Sequence, residues 1–182
     1  MDDFDAIVLA GGTARRLGGS PKHAIVVDGQ TLLARTLDAV SDAAQVVVVG
    51  DEDLKPMVAG ATVVREDPPL AGPAAGIGAA LPHVTSERVM VLACDHPYVA
   101  DAVKALLEAT GQDGAIAIDA EGRRQNLTFV AETEALRDAV ERQPNLVDLA
   151  VHRLLEPLDL AEISVPARAL RDVDTWEDLG HG

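Results

Sequence analysis

Aromatic side chains are almost absent from this 182-residue chain: two Phe, one Tyr and one Trp make up 2% of it. Its core must be built from the aliphatic residues that dominate an apolar fraction of 48%. Cysteine is nearly missing too. A lone Cys94 excludes an internal disulfide and suits a reducing cytoplasm, the expected location. No apolar run approaches the roughly 18 residues of a membrane span. Asp2, Asp3 and Asp5 stand where a secretory leader would be basic and apolar. Positive charge is the last scarcity. Fifteen Lys and Arg face thirty Asp and Glu, a net charge of −15. Such a chain repels a nucleic-acid backbone, so neither nucleic acid nor a membrane is an expected partner. The surplus acid reads as a solvated surface. An anionic small ligand would need a local cationic pocket, helped by a divalent metal.

What the chain does have is one stretch where glycine and positive charge are concentrated. Residues 6–10 form a short apolar run that reads as a buried strand. It empties into a loop holding Gly11, Gly12, Gly18 and Gly19, with Arg15, Arg16 and Lys22. Glycines let backbone N–H groups approach a ligand closely, and Arg and Lys supply charge for phosphate oxygens. A strand feeding such a loop is a common way to build a nucleotide phosphate site. The P-loop pattern does not fit, because Lys22 follows Pro21 rather than Gly, and G-x-G-x-x-G is absent. The pattern that fits is L-A-G-G-x-x-x-R-x-G-x-x-x-K, on Leu9, Ala10, Gly11, Gly12, Arg16, Gly18 and Lys22. This loop resembles the signature of the MobA-like nucleotidyltransferases, and most closely that of their guanylyl-transferring members.

The length suits one domain, expected to span 1–182. Beyond the loop, 24–27 is apolar and Asp28-Gly29 signals a turn. Thr31 can cap a helix over about 32–43. Strands are expected at 45–49 and 62–64, with a polar helical stretch over about 52–58 between them. A Pro-rich loop, 65–76, leads into a small-residue helix over about 73–81, with Pro73 suited to its first turn. Residues 88–93 give the strongest strand, running into Cys94-Asp95-His96-Pro97-Tyr98. Later elements are a helix over 100–110, strands at 115–118 and 127–131 around a polar turn, and helices over about 133–142 and 146–155. A strand at 161–165 and a short helix at 176–179, capped by 172–175, close the chain. Alternating strands and helices predict a three-layer α/β/α fold with a mostly parallel, Rossmann-like sheet.

The resemblance extends along the chain. The family carries an acidic residue before a Pro-rich stretch and G-P-[LA]-A-G, matched by Asp67 and Gly72-Pro73-Ala74-Ala75-Gly76. It carries C-D-x-P after the central strand, matched by Cys94-Asp95-His96-Pro97. Two steps depart from it: Asn126 and Trp176 stand where the family has prolines. What the resemblance implies is nucleotidyl transfer, with the terminal phosphate of molybdopterin attacking the α-phosphate of GTP and pyrophosphate leaving. It assigns Mg²⁺ to Asp95, the α-phosphate to Lys22 and the leaving pyrophosphate to Arg16. It assigns the nucleoside to Leu9, Ala10, Gly11, Gly12 and Asp67. Arg123 and Arg124 are candidate acceptor contacts, and proteins that deliver or receive the molybdenum cofactor are candidate transient partners. Three readings stay open: a guanylyltransferase; a related transferase that uses CTP on molybdopterin or attaches a nucleotide to a sugar phosphate; and a nucleotide-binding module without catalysis. Gly11 favours the first over the CTP enzymes, whose loop usually reads L-A-A-G. The five histidines have no metal-ligand spacing. Cys94 has no evident His partner and reads as a packing residue.

Overall fold

The computed structural model describes residues 3–11, 13–14 and 20–171, with backbone alone at 13, 14 and 20. Its elements in chain order begin with β1 (Phe4–Leu9), β2 (Thr13–Ala14), β3 (Ser20–Pro21), β4 (Val26–Val27) and β5 (Gln30–Thr31). Then come α1 (Leu32–Ala39), β6 (Val46–Val49), β7 (Thr62–Val64), α2 (Pro73–Ala80), β8 (Arg88–Ala93) and α3 (Ala100–Glu108). The last are β9 (Gly114–Ile118), β10 (Arg124–Glu132), α4 (Thr133–Glu141), α5 (Val151–Leu155) and β11 (Ala161–Ser164). Seven strands form one sheet in the order β11-β9-β10-β8-β1-β6-β7. Every neighbouring pair is parallel except β10, which runs antiparallel to β8 and β9.

Every residue of β1 is buried, because helices cover both faces of the sheet. Ala6, Val8 and Ala10 point into one core with Leu33 of α1 and Val103 and Leu106 of α3. Ile7 and Leu9 point into the other, with Ile77 of α2, Leu136 of α4 and Leu154 of α5. The period-two alternation of one strand thus feeds two aliphatic layers, and the three-layer expectation holds. No described helix is long and apolar enough to cross a membrane.

Several elements differ from their expected limits, for identifiable reasons. The run at 24–27 becomes a tight hairpin, β4–β5, closed by Asp28 and Gly29 at φ 48° and 83°, the left-handed pair that such a turn requires. Thr31 caps α1 by accepting from the Ala34 amide (3.1 Å). That helix stops at Ala39 rather than 43, since the amide of Ala44 must reach the Phe4 carbonyl (2.8 Å). The helix expected over 146–155 shrinks to Val151–Leu155. Asn145 Oδ1 accepts from the Val147 amide, and Asp148 sits at φ 55° with its amide on the Ala71 carbonyl (2.8 Å). The segment therefore braces the loop before α2. The C-terminal helix at 176–179 lies outside the described residues.

Asp5 is the one fully buried acid in β1. Its Oδ2 accepts from the Thr85 and Ser86 amides (2.6 and 3.0 Å), and its Oδ1 from the Ser86 hydroxyl (2.9 Å). Burial pushes its pKa up, but these hydrogen bonds and one from the Gln45 backbone outweigh it and hold it below its ordinary value. A lowered folded-state pKa stabilises the fold above the unfolded value and is lost as pH falls through the folded one. Asp5→Ala is expected to cost about 1–3 kcal/mol near neutral pH. The gap to wild type should narrow in denaturant titrations below about pH 4. A pH-independent gap would contradict this account.

Candidate active site

From β1 the chain moves outward through β6 to β7, then crosses back to β8 on the other side of β1. Open α/β sheets bind ligands at the carboxyl edge of such a reversal. There the Cys94 amide donates to the Leu9 carbonyl (3.1 Å), and the Ala10 amide to the Val49 carbonyl (2.9 Å). These bonds hold the ends of β8, β1 and β6 level. Gly11 and Asp95 leave the sheet at this edge and line one cavity of about 330 Å³, within the range of small-ligand sites. Leu9, Val49, Gly76, Ala93, Pro73, Leu70 and Leu127 make its apolar wall, and Lys22, Glu66 and Asp95 bring charge.

Gly76 matters to the cavity floor. A Cβ there would lie 3.0 Å from Val49 Cγ1 and 3.3 Å from Leu9 Cδ2, so its absence lets α2 sit close against β1 and β6. At Gly11 a Cβ would meet no described protein atom within 4 Å. The fold can therefore accept a methyl group there, but that group would take up space beside the cavity.

Lys22 and Asp95, 73 residues apart, meet with Nζ 3.3 Å from Oδ2. Both side chains are about a quarter exposed or less, at 21% and 25%. The other oxygen, Oδ1, is buried and has no hydrogen-bond partner; His96 Nε2 lies 3.6 Å away, within ion-pair but not hydrogen-bond reach. Among the described residues no group of three His, Cys, Asp or Glu could hold a metal. Mg²⁺ does not require one, because it commonly takes one or two carboxylates and completes its shell with waters and substrate phosphates. A single carboxylate at the cavity wall, Asp95, fits that habit.

The loop carrying Asp95 is braced from outside. Arg35 donates through Nε to the Val27 carbonyl (2.9 Å) and through Nη1 to the Pro97 carbonyl (3.4 Å). The guanidinium groups of Arg35 and Arg168 lie 5.5 and 5.2 Å from the Tyr98 ring centroid, within cation–π range. The Tyr98 hydroxyl donates to Asp28 (3.1 Å). The hairpin, α1 and the segment near Arg168 thus fix Pro97 and Tyr98 just beyond the carboxylate.

Cys94 is buried, and burial first, then the neighbouring Asp95 charge, push its thiol up to about 12, against a smaller opposing effect of Lys22. A thiol held neutral is no nucleophile, in line with the packing role expected for it. Iodoacetamide at pH 8 should leave Cys94 unmodified in the folded protein and label it after denaturation, as read by mass spectrometry. Rapid labelling of the native protein would contradict this.

Of the residues singled out in the sequence, Leu9, Gly11, Lys22 and Asp95 meet at the cavity. Gly12 and Arg16 lie outside the described residues. Ala10 is buried, its amide donates to the Val49 carbonyl, and it is not among the residues that line the cavity. Asp67 is exposed and off the wall, whereas its neighbour Glu66 is on it. Arg123 pairs with Asp119 (2.8 Å) and Glu121 (3.1 Å), and Arg124 with Glu162 (2.8 Å). The pairing of β10 with β9 changes register between Arg124 and Phe129, a segment that contains Asn126 and Leu127, and Leu127 lines the cavity. Glu66, Leu70 and Leu127 were not evident from sequence. Their only signals were the Pro-rich loop and the Asn126 departure.

Comparison with known proteins gives a consistent picture. The family model of the MobA-like NTP transferase domain matches residues 6–165. A molybdenum cofactor guanylyltransferase from Shewanella putrefaciens is 29% identical over 143 residues, spanning 76% of this chain and 73% of its own. A crystal structure of a protein from Mycobacterium sp. strain JC1 is similar at TM-score 0.73 and 28% identity, covering 96% of this chain and 92% of that one. The crystal structure of molybdopterin-guanine dinucleotide biosynthesis protein A from Archaeoglobus fulgidus shares the fold at TM-score 0.72 and 23% identity, covering 97% and 95%.

Proposed function

The chain belongs to the MobA-like NTP transferase family, and from that premise we propose that it transfers GMP from GTP to molybdopterin. The observation that carries this reading is the Lys22–Asp95 pair at the wall of a cavity formed where β1 and β8 end. A terminal phosphate oxygen of the acceptor attacks the α-phosphorus. The bond from that phosphorus to the bridging oxygen breaks, and pyrophosphate departs with the electron pair. A phosphomonoester is already anionic near neutrality, so no strong general base is needed. The protein's work is positioning and charge neutralisation.

Lys22 would place its ammonium on the α-phosphate, where negative charge grows in the transition state. Arg16 would hold the leaving pyrophosphate. Asp95 would hold Mg²⁺, which when bound neutralises phosphate charge. The apolar wall of the cavity would enclose the nucleoside. Gly11 would allow the base close to the chain, and Asp67, outside the wall, would reach the nucleoside from the loop rim.

A guanine needs more room than a cytosine, and a bare Gly11 leaves that room. We expect GTP to exceed CTP by at least about tenfold in kcat/KM, on the order of 1.4 kcal/mol. Gly11→Ala should shrink the preference mainly by weakening GTP use, with the fold intact. Competition kinetics with both nucleotides check it. A wild type that prefers CTP would overturn the guanylyl reading and favour a cytidylyl one.

A further inference from the structure

Besides the Lys22–Asp95 pair, one charged side chain lines the cavity among the described residues: Glu66. Its Oε1 accepts from the Leu70 amide (3.0 Å), which anchors the carboxylate to the turn it starts. Leu70 takes a left-handed φ of 66° and leaves 78% of its surface exposed, an apolar side chain at the rim of the same cavity. A carboxylate repels a triphosphate. The phosphates must then lie toward Lys22, and the Glu66 end is left for the base, with Leu9, Val49 and Leu70 offering apolar contact.

We infer that Glu66 determines base specificity by accepting the N1–H and N2–H of guanine; this rests on the guanylyltransferase reading. A carboxylate accepts and cannot donate. It therefore suits an edge with two adjacent donors, which guanine alone presents. Adenine sets its amino group beside the N1 acceptor, and cytosine sets its amino group beside the N3 acceptor. Uracil places one N–H between two carbonyls. Each would bring an acceptor against the carboxylate. Loss of a complementary donor at a site built to accept it is discriminated strongly, because the site's polar group is left unpaired.

Equilibrium calorimetry on the intact protein, with no acceptor present, tests this apart from turnover. Wild type should bind GTP at least about tenfold more tightly than inosine triphosphate, which lacks the N2 amino group, and 1-methyl-GTP, in which N1 cannot donate. Glu66→Gln keeps an oxygen for the Leu70 amide but sets an N–H₂ against the base. It should bring GTP and inosine triphosphate within about threefold of each other and improve ATP relative to GTP. If wild type binds all three guanine-like nucleotides equally, Glu66 does not read the base, and that result stands even if the variant fails to fold. If wild type discriminates and Glu66→Gln discriminates equally, the assignment fails while the guanylyltransferase reading survives. A wild type that prefers CTP overturns both.

Discussion

Lys22→Ala is expected to lower kcat by roughly 10²-fold or more, comparable to removing one preorganised charge donor from a transition state. The basis is placement. The ammonium sits 3.3 Å from Asp95 at the cavity wall, in a chain whose net charge of −15 leaves little positive potential elsewhere. Charge on the α-phosphate grows as the bond forms, so the loss should fall on kcat more than on KM. Lys22→Arg should recover only part of it, since a planar guanidinium does not reproduce a compact ammonium. Stability should change little, because the pair is partly exposed and such pairs contribute modestly. Single-turnover rates at saturating GTP provide the check. A variant with near-wild-type kcat would remove Lys22 from the mechanism.

Asp95→Asn is expected to abolish metal-dependent turnover and leave the fold intact. The substitution keeps the shape of the side chain and removes its charge. Asp95 Oδ1 has no hydrogen-bond partner, and an amide oxygen in place of Oδ2 can still accept from Lys22, so only the charge of a partly exposed pair is lost. The residue follows β8, whose neighbours are held by backbone pairing. Mg²⁺ or Mn²⁺ titration with GTP present should show weakened metal affinity, and thermal melting should show little shift. If activity and metal affinity both survive, the metal is held elsewhere, and Asp174, outside the described residues, becomes the next candidate.

The elements that read well from sequence are those whose residues carry their own instructions. β1 and β8 are short aliphatic runs, Thr31 is a hydroxyl placed to cap, and Pro73 opens a helix. What did not read well depends on partners distant in sequence. Nothing in the pattern of 124–132 states that β10 runs against its neighbours, because alternation is blind to strand direction. Asp148 interrupts the expected helix at 146–155 through a bond to Ala71 that only the fold creates. The site divides the same way. The glycine loop and Asp95 were visible as motifs, and the resemblance named them. The Lys22–Asp95 contact crosses 73 residues. The exchange of Asp67 for Glu66 at the wall turns on the path of one loop. A sequence can mark an acidic loop before α2 but not which of two adjacent carboxylates faces inward.

Whether this site joins a GMP unit to molybdopterin, as proposed, can be read by following the label from α-³²P-GTP. Purified protein, Mg²⁺, labelled GTP and molybdopterin are incubated together, and product and pyrophosphate are quantified. Label is expected in a molybdopterin dinucleotide, with one pyrophosphate released per label transferred, and both are lost when molybdopterin is omitted. CTP, ATP and UTP should give at most about a tenth of the GTP rate. Label moving instead to a sugar phosphate, or no transfer from any nucleotide despite tight GTP binding, would contradict it.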